Sequence, residues 1–147
     1  MDIASVHIEA APSAVWDAVT DISGYHRFSP ENMGGRWTGG KPATVGATFT
    51  GSNRHGLIRW STHCTVVDVV AGQKFSFEVG DSKTRWTYLL EPSDTGVKLT
   101  ETREVVGTPQ FYVRMVQRSK LLGRNRDELM KSGMQTTLAR MKGYLER

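Results

Sequence analysis

Glu101 and Arg103 are the residues whose types and spacing most suggest chemistry. They stand two apart in a segment where Val97, Leu99 and Val105 mark one face by alternation. Both charges therefore fall on that same apolar, inward face. One unpaired buried charge is prohibitively costly, but a carboxylate and a guanidinium two residues apart can satisfy each other. In a cavity such a pair orients a ligand carbonyl or hydroxyl, or moves a proton. The competing reading is that a bulge or a sheet edge turns both into water. The fragility of register near strand ends favours that second reading slightly. Tyr88 and Thr62 are the other polar groups on inward faces, each able to hydrogen-bond a ligand or a backbone group. Glu101, Arg103 and Tyr88 are thus the candidates for any acid–base role.

Other chemistries find little support. The histidines are His7, His26, His55 and His63, with no HExxH and no Cys/His pair at zinc spacing, so neither metal nor cofactor is expected. His63 and Cys64 are adjacent in an extended segment and face opposite ways, which argues against a Cys-His couple. His26, just before Phe28, is expected at the surface. Gly35 to Lys41 fits G-x-x-x-x-G-K, but Pro42 stands where a phosphate loop needs Ser or Thr, and no helix pattern follows.

The elements that must position these groups follow from periodicity. Val6 and Ile8 alternate with His7 and Glu9 as a first strand. Pro12, Val15, Trp16 and Val19 then suit a short helix, and Asp21 is placed to cap a second, Ile22 to Arg27, ended by Pro30. Glycines break the next stretch into short extended pieces around Trp37 and Phe49, and Ser52 to Gly56 reads as a hairpin loop. Trp60, Thr62, Cys64 and Val66 share one face of a long strand; Phe75, Phe77 and Val79 share one face of the next. Trp86, Tyr88 and Leu90 do so in a third. Arg59 and Arg85 fall on outward faces. From about Gln117 the period becomes helical, with Leu121, Leu122, Leu129, Met130, Met134, Leu138, Met141 and Leu145 as an apolar stripe.

The expected architecture is one α+β domain over 1–147, a curved antiparallel sheet of about seven strands against a long C-terminal helix. Two short helices follow the first strand. Such a sheet need not close completely around one helix, and a cavity can remain between them. The length and order fit one domain, and the lone Cys64 excludes an internal disulfide and points to a reducing cytoplasm. No stretch approaches a membrane span, and the N-terminus lacks the pattern of a signal peptide. The net charge of +4 is uneven. Residues 1–110 hold 10 Lys/Arg against 12 Asp/Glu, and residues 111–147 hold 9 against 3. The basic cluster Arg114, Arg118, Lys120, Arg124 and Arg126, interleaved with Phe111, Tyr112 and Val113, is first a solubilising helix face. It also suits transient contact with an anionic membrane surface, or a lid. No recognition motif accompanies it, which argues against nucleic acid.

The order and the residues together resemble the START/Bet v1-like (SRPBCC) superfamily, in its bacterial polyketide cyclase/dehydrase-like branch. The resemblance rests on Ala11-Pro12 with Val15-Trp16, Asp21, Tyr25 and Ser29-Pro30, then on Arg59-Trp60, Phe75-Ser76-Phe77 and Trp86-Thr87-Tyr88 with Leu90-Glu91-Pro92. Gly96-Val97, Leu99-Thr100-Glu101 and Gly133-Met134 with Thr137-Leu138 and Met141-Lys142 complete it. It implies a helix-grip fold with a deep, mostly apolar cavity that takes lipids, polyketides or similar molecules. It implies no shared catalytic motif.

The inward faces then supply the expected ligand-binding set: Trp60, Thr62, Phe75, Phe77, Trp86, Tyr88, Leu99, Glu101, Met130, Met134 and Leu138. The first functional reading is binding or transport of a small hydrophobic ligand without chemistry, by a monomer or homodimer. The alternative is a polyketide cyclase/aromatase- or dehydratase-like enzyme using the same cavity. A third is an interaction protein with a vestigial cavity that acts through the basic segment.

Overall fold

A computed structural model describes residues 1–107 and 126–147. Its strands are β1 (Asp2–Ile8), β2 (Asn32–Gly39), β3 (Thr48–His55), β4 (Ile58–Val70), β5 (Lys74–Val79), β6 (Thr84–Ser93) and β7 (Gly96–Val105). They form one curved antiparallel sheet in the order β1-β7-β6-β5-β4-β3-β2. Helix α1 (Pro12–Thr20) and a 3-10 helix (Ile22–Arg27) follow β1, and α2 (Arg126–Leu145) closes the chain. Every strand neighbour but β1 on β7 is consecutive in sequence, as short connections dictate.

The alternation that predicts the strands is the alternation that buries them. Cys64 and Val66 of β4, Phe75, Phe77 and Val79 of β5, Tyr88 and Leu90 of β6, and Val97 and Leu99 of β7 are all in the core. Arg85 lies on the opposite face, where its guanidinium takes Glu78 at 2.7 Å and Glu104 at 3.2 Å. A register shift between Val66 and Asp68 gives β4 an extra residue against β5 and bends it.

Two local expectations are corrected. The β3–β4 hairpin does not turn at Ser52–Gly56. Ser52, Asn53 and Arg54 pair in register with Ser61, Trp60 and Arg59, and the chain reverses only at Gly56-Leu57. Gly56 has φ +61°, the left-handed conformation a two-residue turn requires. Polar side chains made a loop of what is a ladder, because they serve a rim rather than bulk solvent. Asp21 stands at the start of the 3-10 helix but makes no side-chain cap; its carboxylate takes the Ser23 hydroxyl at 2.7 Å and Arg27 at 3.0 Å instead.

The two ends of the sheet's concave face differ. At one, α1 lays Val15, Ala18 and Val19 on the sheet, and Trp16 meets Phe75 edge-on with ring centroids 6.3 Å apart. The C-terminal half of α2 closes down on the same end with Leu138 and Met141 fully buried. It is pinned there by Lys142 Nζ donating to the His7 carbonyl at 2.7 Å and by the Glu9 N–H donating to Glu146 at 2.8 Å. At Gly96, where β6 turns into β7, an added Cβ would stand 2.1 Å from the Ile8 carbonyl oxygen, so only glycine lets β1 pass. At the other end the N-terminal half of α2 stands away from the sheet and leaves a space. The predicted start of this helix, with Leu121 and Leu122, lies outside the described residues, as do Phe111, Tyr112, Val113, Arg114, Arg118, Lys120 and Arg124.

Candidate functional site

The space between α2 and strands β3 to β7 is a cavity of about 510 Å³. Its floor is set by register. Tyr88 lies opposite both Phe75 and Glu101, and Trp86 opposite both Phe77 and Arg103. On the far side Gly51 pairs with Thr62, and Cys64 with Val79. Alternation then sends one row of side chains into the cavity from each strand. The roof is Met130, Gly133, Met134 and Thr137 of α2, and Ile22 and Tyr25 of the 3-10 helix close one side. A polar rim carries Asn53, Arg54 and the His55–Glu31 pair at 3.1 Å.

Of the predicted ligand-binding residues, Trp60, Thr62, Phe77, Trp86, Tyr88, Glu101, Met130 and Met134 are on the cavity wall. Phe75, Leu99 and Leu138 are not. They are 0%, 0% and 1% exposed and belong to the packed end, under α1 and the C-terminal half of α2. Alternation gives the face of a residue but not its position along the strand, and that position decides between wall and core. Residues that sequence reasoning did not place here include Tyr25, Asp81 and Thr84. Asp81 sits in what reads as an ordinary Gly-Asp-Ser turn, yet it is buried and takes the exposed His63 imidazole at 3.1 Å. Tyr25 comes from a six-residue 3-10 helix too short to show a period.

Glu101 and Arg103 both face inward, at 2% and 9% exposure, which overturns the slight preference for solvent. No bulge intervenes, because β7 is paired residue for residue with β1 and with β6. Nor does their pairing need each other. The Tyr88 hydroxyl donates to Glu101 Oε2 at 2.6 Å, and Arg103 meets Asp2, its cross-strand neighbour on β1, at 2.9 Å. The Arg103 guanidinium also lies 5.9 Å from the Trp86 ring centre. Glu101 Oε1 is buried without a hydrogen-bond partner among the described residues.

Burial dominates the electrostatics of this cluster. Desolvation pushes Glu101 up to about 7, although the Tyr88 hydrogen bond pulls the other way. Tyr25 and Tyr88 are held well above the usual phenol range, first by burial and then by the Glu101 charge. The Tyr25 hydroxyl donates to the Val19 carbonyl, and its ring meets Tyr88 edge-on at 6.2 Å. Burial also raises the Cys64 thiol to about 12. A protonated carboxyl beside two neutral phenols can donate to a ligand acceptor or exchange one proton near neutral pH. Among the described residues no three of His, Cys, Asp and Glu are grouped to hold a metal ion. No described helix is long and apolar enough to cross a membrane. The G-x-x-x-x-G-K segment is β2 and the loop after it, with no helix N-terminus to receive a phosphate.

This architecture recurs among known structures. The KanY protein in solution superposes with a TM-score of 0.69 at 16% identity, over 99% of this chain and 97% of that one. A polyketide-cyclase-like protein of Corynebacterium glutamicum gives 0.63 at 27% identity, over 98% and 90%. A protein of Bacillus halodurans gives 0.68 at 21%, over 98% and 95%. No curated protein is a significant match. The sequence profile described as polyketide cyclase / dehydrase and lipid transport matches residues 4–146, so its span takes in all of the sheet but the first two residues of β1, all three described helices and every described residue of the cavity wall. On that match, and on the helix-grip fold that accompanies it, the chain belongs to the polyketide cyclase / dehydrase and lipid transport family.

Proposed function

We propose that the protein binds or carries a small hydrophobic molecule, a lipid, a polyketide or a molecule of similar character, in the cavity between α2 and the sheet. The observation that supports this best is the division of the concave face. One end is packed solid, while the other keeps about 510 Å³ walled by Trp60, Phe77, Trp86, Met130 and Met134. Such a volume, apolar with a few converging polar groups, is what small-molecule sites have in common. Methionines on one wall and aromatic rings on the other give an adaptable surface against a rigid one. Native mass spectrometry of protein purified without detergent tests the proposal. A small non-covalent adduct that is lost on unfolding is expected. Protein that carries no adduct and takes up none from added hydrophobic probes would contradict it.

The arrangement of Glu101 and Tyr88 favours a second reading, an enzyme of the cyclase/aromatase or dehydratase type. A carboxyl near 7 on a cavity wall has the proton affinity that acid–base work at neutral pH asks for. In that case Glu101→Gln abolishes turnover of a bound poly-keto chain while leaving its binding in place. Turnover unchanged by this substitution would remove Glu101 from the chemistry.

A further inference from the structure

Glu101 carries a polar atom for which the described residues provide no partner. Glu101 lines the cavity; its Oε2 accepts the Tyr88 hydroxyl, while the buried Oε1 accepts and donates nothing among the described residues. A buried orphan of this kind is costly, and its occurrence on a residue that lines a cavity points to a partner that comes and goes. The chemistry of that partner depends on where the carboxyl proton sits. Because Tyr88 already donates to Oε2, the proton of the neutral acid belongs on Oε1, where it is a donor without a partner among the described residues. The ionised form would instead present a desolvated negative acceptor, suited to an ammonium or a hydroxyl.

The surroundings favour the neutral form. On its own strand the nearby cation is Arg103, which is engaged with Asp2 at 2.9 Å. The β1 residue opposite Glu101 is Ala4, and the β6 residue opposite it is Tyr88. The 3-10 helix brings Tyr25, β4 brings Cys64, and the described part of α2 brings no charged side chain to the wall. Asp81, with His63, and the rim residues Arg54, His55 and Glu31 are the other titratable and charged groups of the cavity among the described residues. The upward shift of Glu101 follows burial, against the pull of the Tyr88 hydrogen bond, and no cation among the described residues offsets it.

We infer that the cavity selects neutral molecules bearing a carbonyl group, whose oxygen accepts the proton that Glu101 presents on Oε1. This rests on reading the cavity as a hydrophobic-ligand site and adds its polar specificity. Glu101 is then a specificity-determining residue, and ligand affinity is coupled to its protonation. A carbonyl ligand stabilises the neutral acid and is released as the acid ionises. An ammonium ligand would show the opposite dependence.

The test uses the full chain and three probes of one shape: acetylnaphthalene, ethylnaphthalene and naphthylmethylamine, titrated calorimetrically at about pH 6 and about pH 8.5. The affinity of the ketone relative to the hydrocarbon is expected to fall roughly five- to tenfold between the two, the worth of one hydrogen bond. In Glu101→Gln the amide oxygen still accepts from Tyr88 and the amide N–H₂ takes the place of the protonated Oε1. That variant is expected to keep the low-pH ratio at both values. A ketone-to-hydrocarbon ratio in the native protein that does not fall with pH, or an amine that binds tighter than the ketone at both, overturns the inference while leaving the cavity a ligand site. Binding of neither neutral probe overturns the cavity reading itself, and the inference with it. The comparison in the native protein decides on its own if the variant does not fold.

Discussion

Replacing Glu101 with glutamine isolates what burial of this carboxyl does to stability. The Tyr88 hydroxyl can still donate to the amide oxygen, so shape and that hydrogen bond persist. Desolvation lifts Glu101 from its ordinary 4.5 to about 7. At about 1.4 kcal/mol per pH unit, that difference is worth roughly 3 kcal/mol. The folded value lies above the unfolded one, so the folded state holds the proton more tightly. Its stabilising effect is complete below about pH 4.5 and is lost as pH rises through about 7. Glutamine does not titrate. The stability of Glu101→Gln minus that of the native protein is therefore expected to grow by roughly 3 kcal/mol between about pH 4 and about pH 8, on top of any constant offset. Urea unfolding followed by tryptophan fluorescence gives both stabilities at each pH. Groups that titrate alike in the two proteins cancel in the difference. A difference that is flat across this range, or that shrinks as pH rises, refutes the desolvated Glu101 described above.

Three further outcomes follow from burial and space. Gly133→Ala is expected to raise stability by about 1 kcal/mol in denaturant unfolding, because it sits inside α2 and an added Cβ meets nothing within 4 Å; a loss would contradict the open space at this position. Phe75→Ala and Trp60→Ala should separate core from wall. The first removes a fully buried ring packed on Trp16 and Phe77 and costs about 3–5 kcal/mol, whereas the second costs less and weakens probe binding, as calorimetry and unfolding together would read. Cys64 should resist alkylation in the native state near about pH 8 and react once urea is added, since its thiol is buried and raised to about 12; rapid native labelling would contradict its placement.

The fold was largely legible because its signals are local and repeated. Alternation in Ile58–Val70, Lys74–Val79 and Thr84–Ser93 marks the buried face of each strand, and short turns force neighbours to pair. The glycine-rich stretch was harder. Eight-residue strands at Asn32–Gly39 and Thr48–His55 carry few apolar side chains, so their pairing comes from the backbone ladder rather than from a pattern. The site was legible by face but not by depth. Phe75 and Phe77 alternate identically, yet one lies beneath α1 and the other on the cavity wall. What separates them is where α1 and α2 touch the sheet, a tertiary fact. Glu101 shows the same limit: its inward placement follows from alternation, but its partner Tyr88 is set by the β6–β7 register, and Arg103 pairs with β1 rather than with Glu101.

Whether a hydrophobic molecule enters this cavity is read most directly from its methionines. Met130 and Met134 line it, Met141 is buried in the packed end, and Met1 and Met33 are exposed. In protein carrying methyl-labelled methionine, titration with ethylnaphthalene is expected to move the Met130 and Met134 methyl resonances in a saturable way and to leave Met1 and Met33 in place. Saturable shifts at Met1 or Met33 alone, or no shift at any methionine as the probe reaches its solubility, would contradict a ligand-binding cavity.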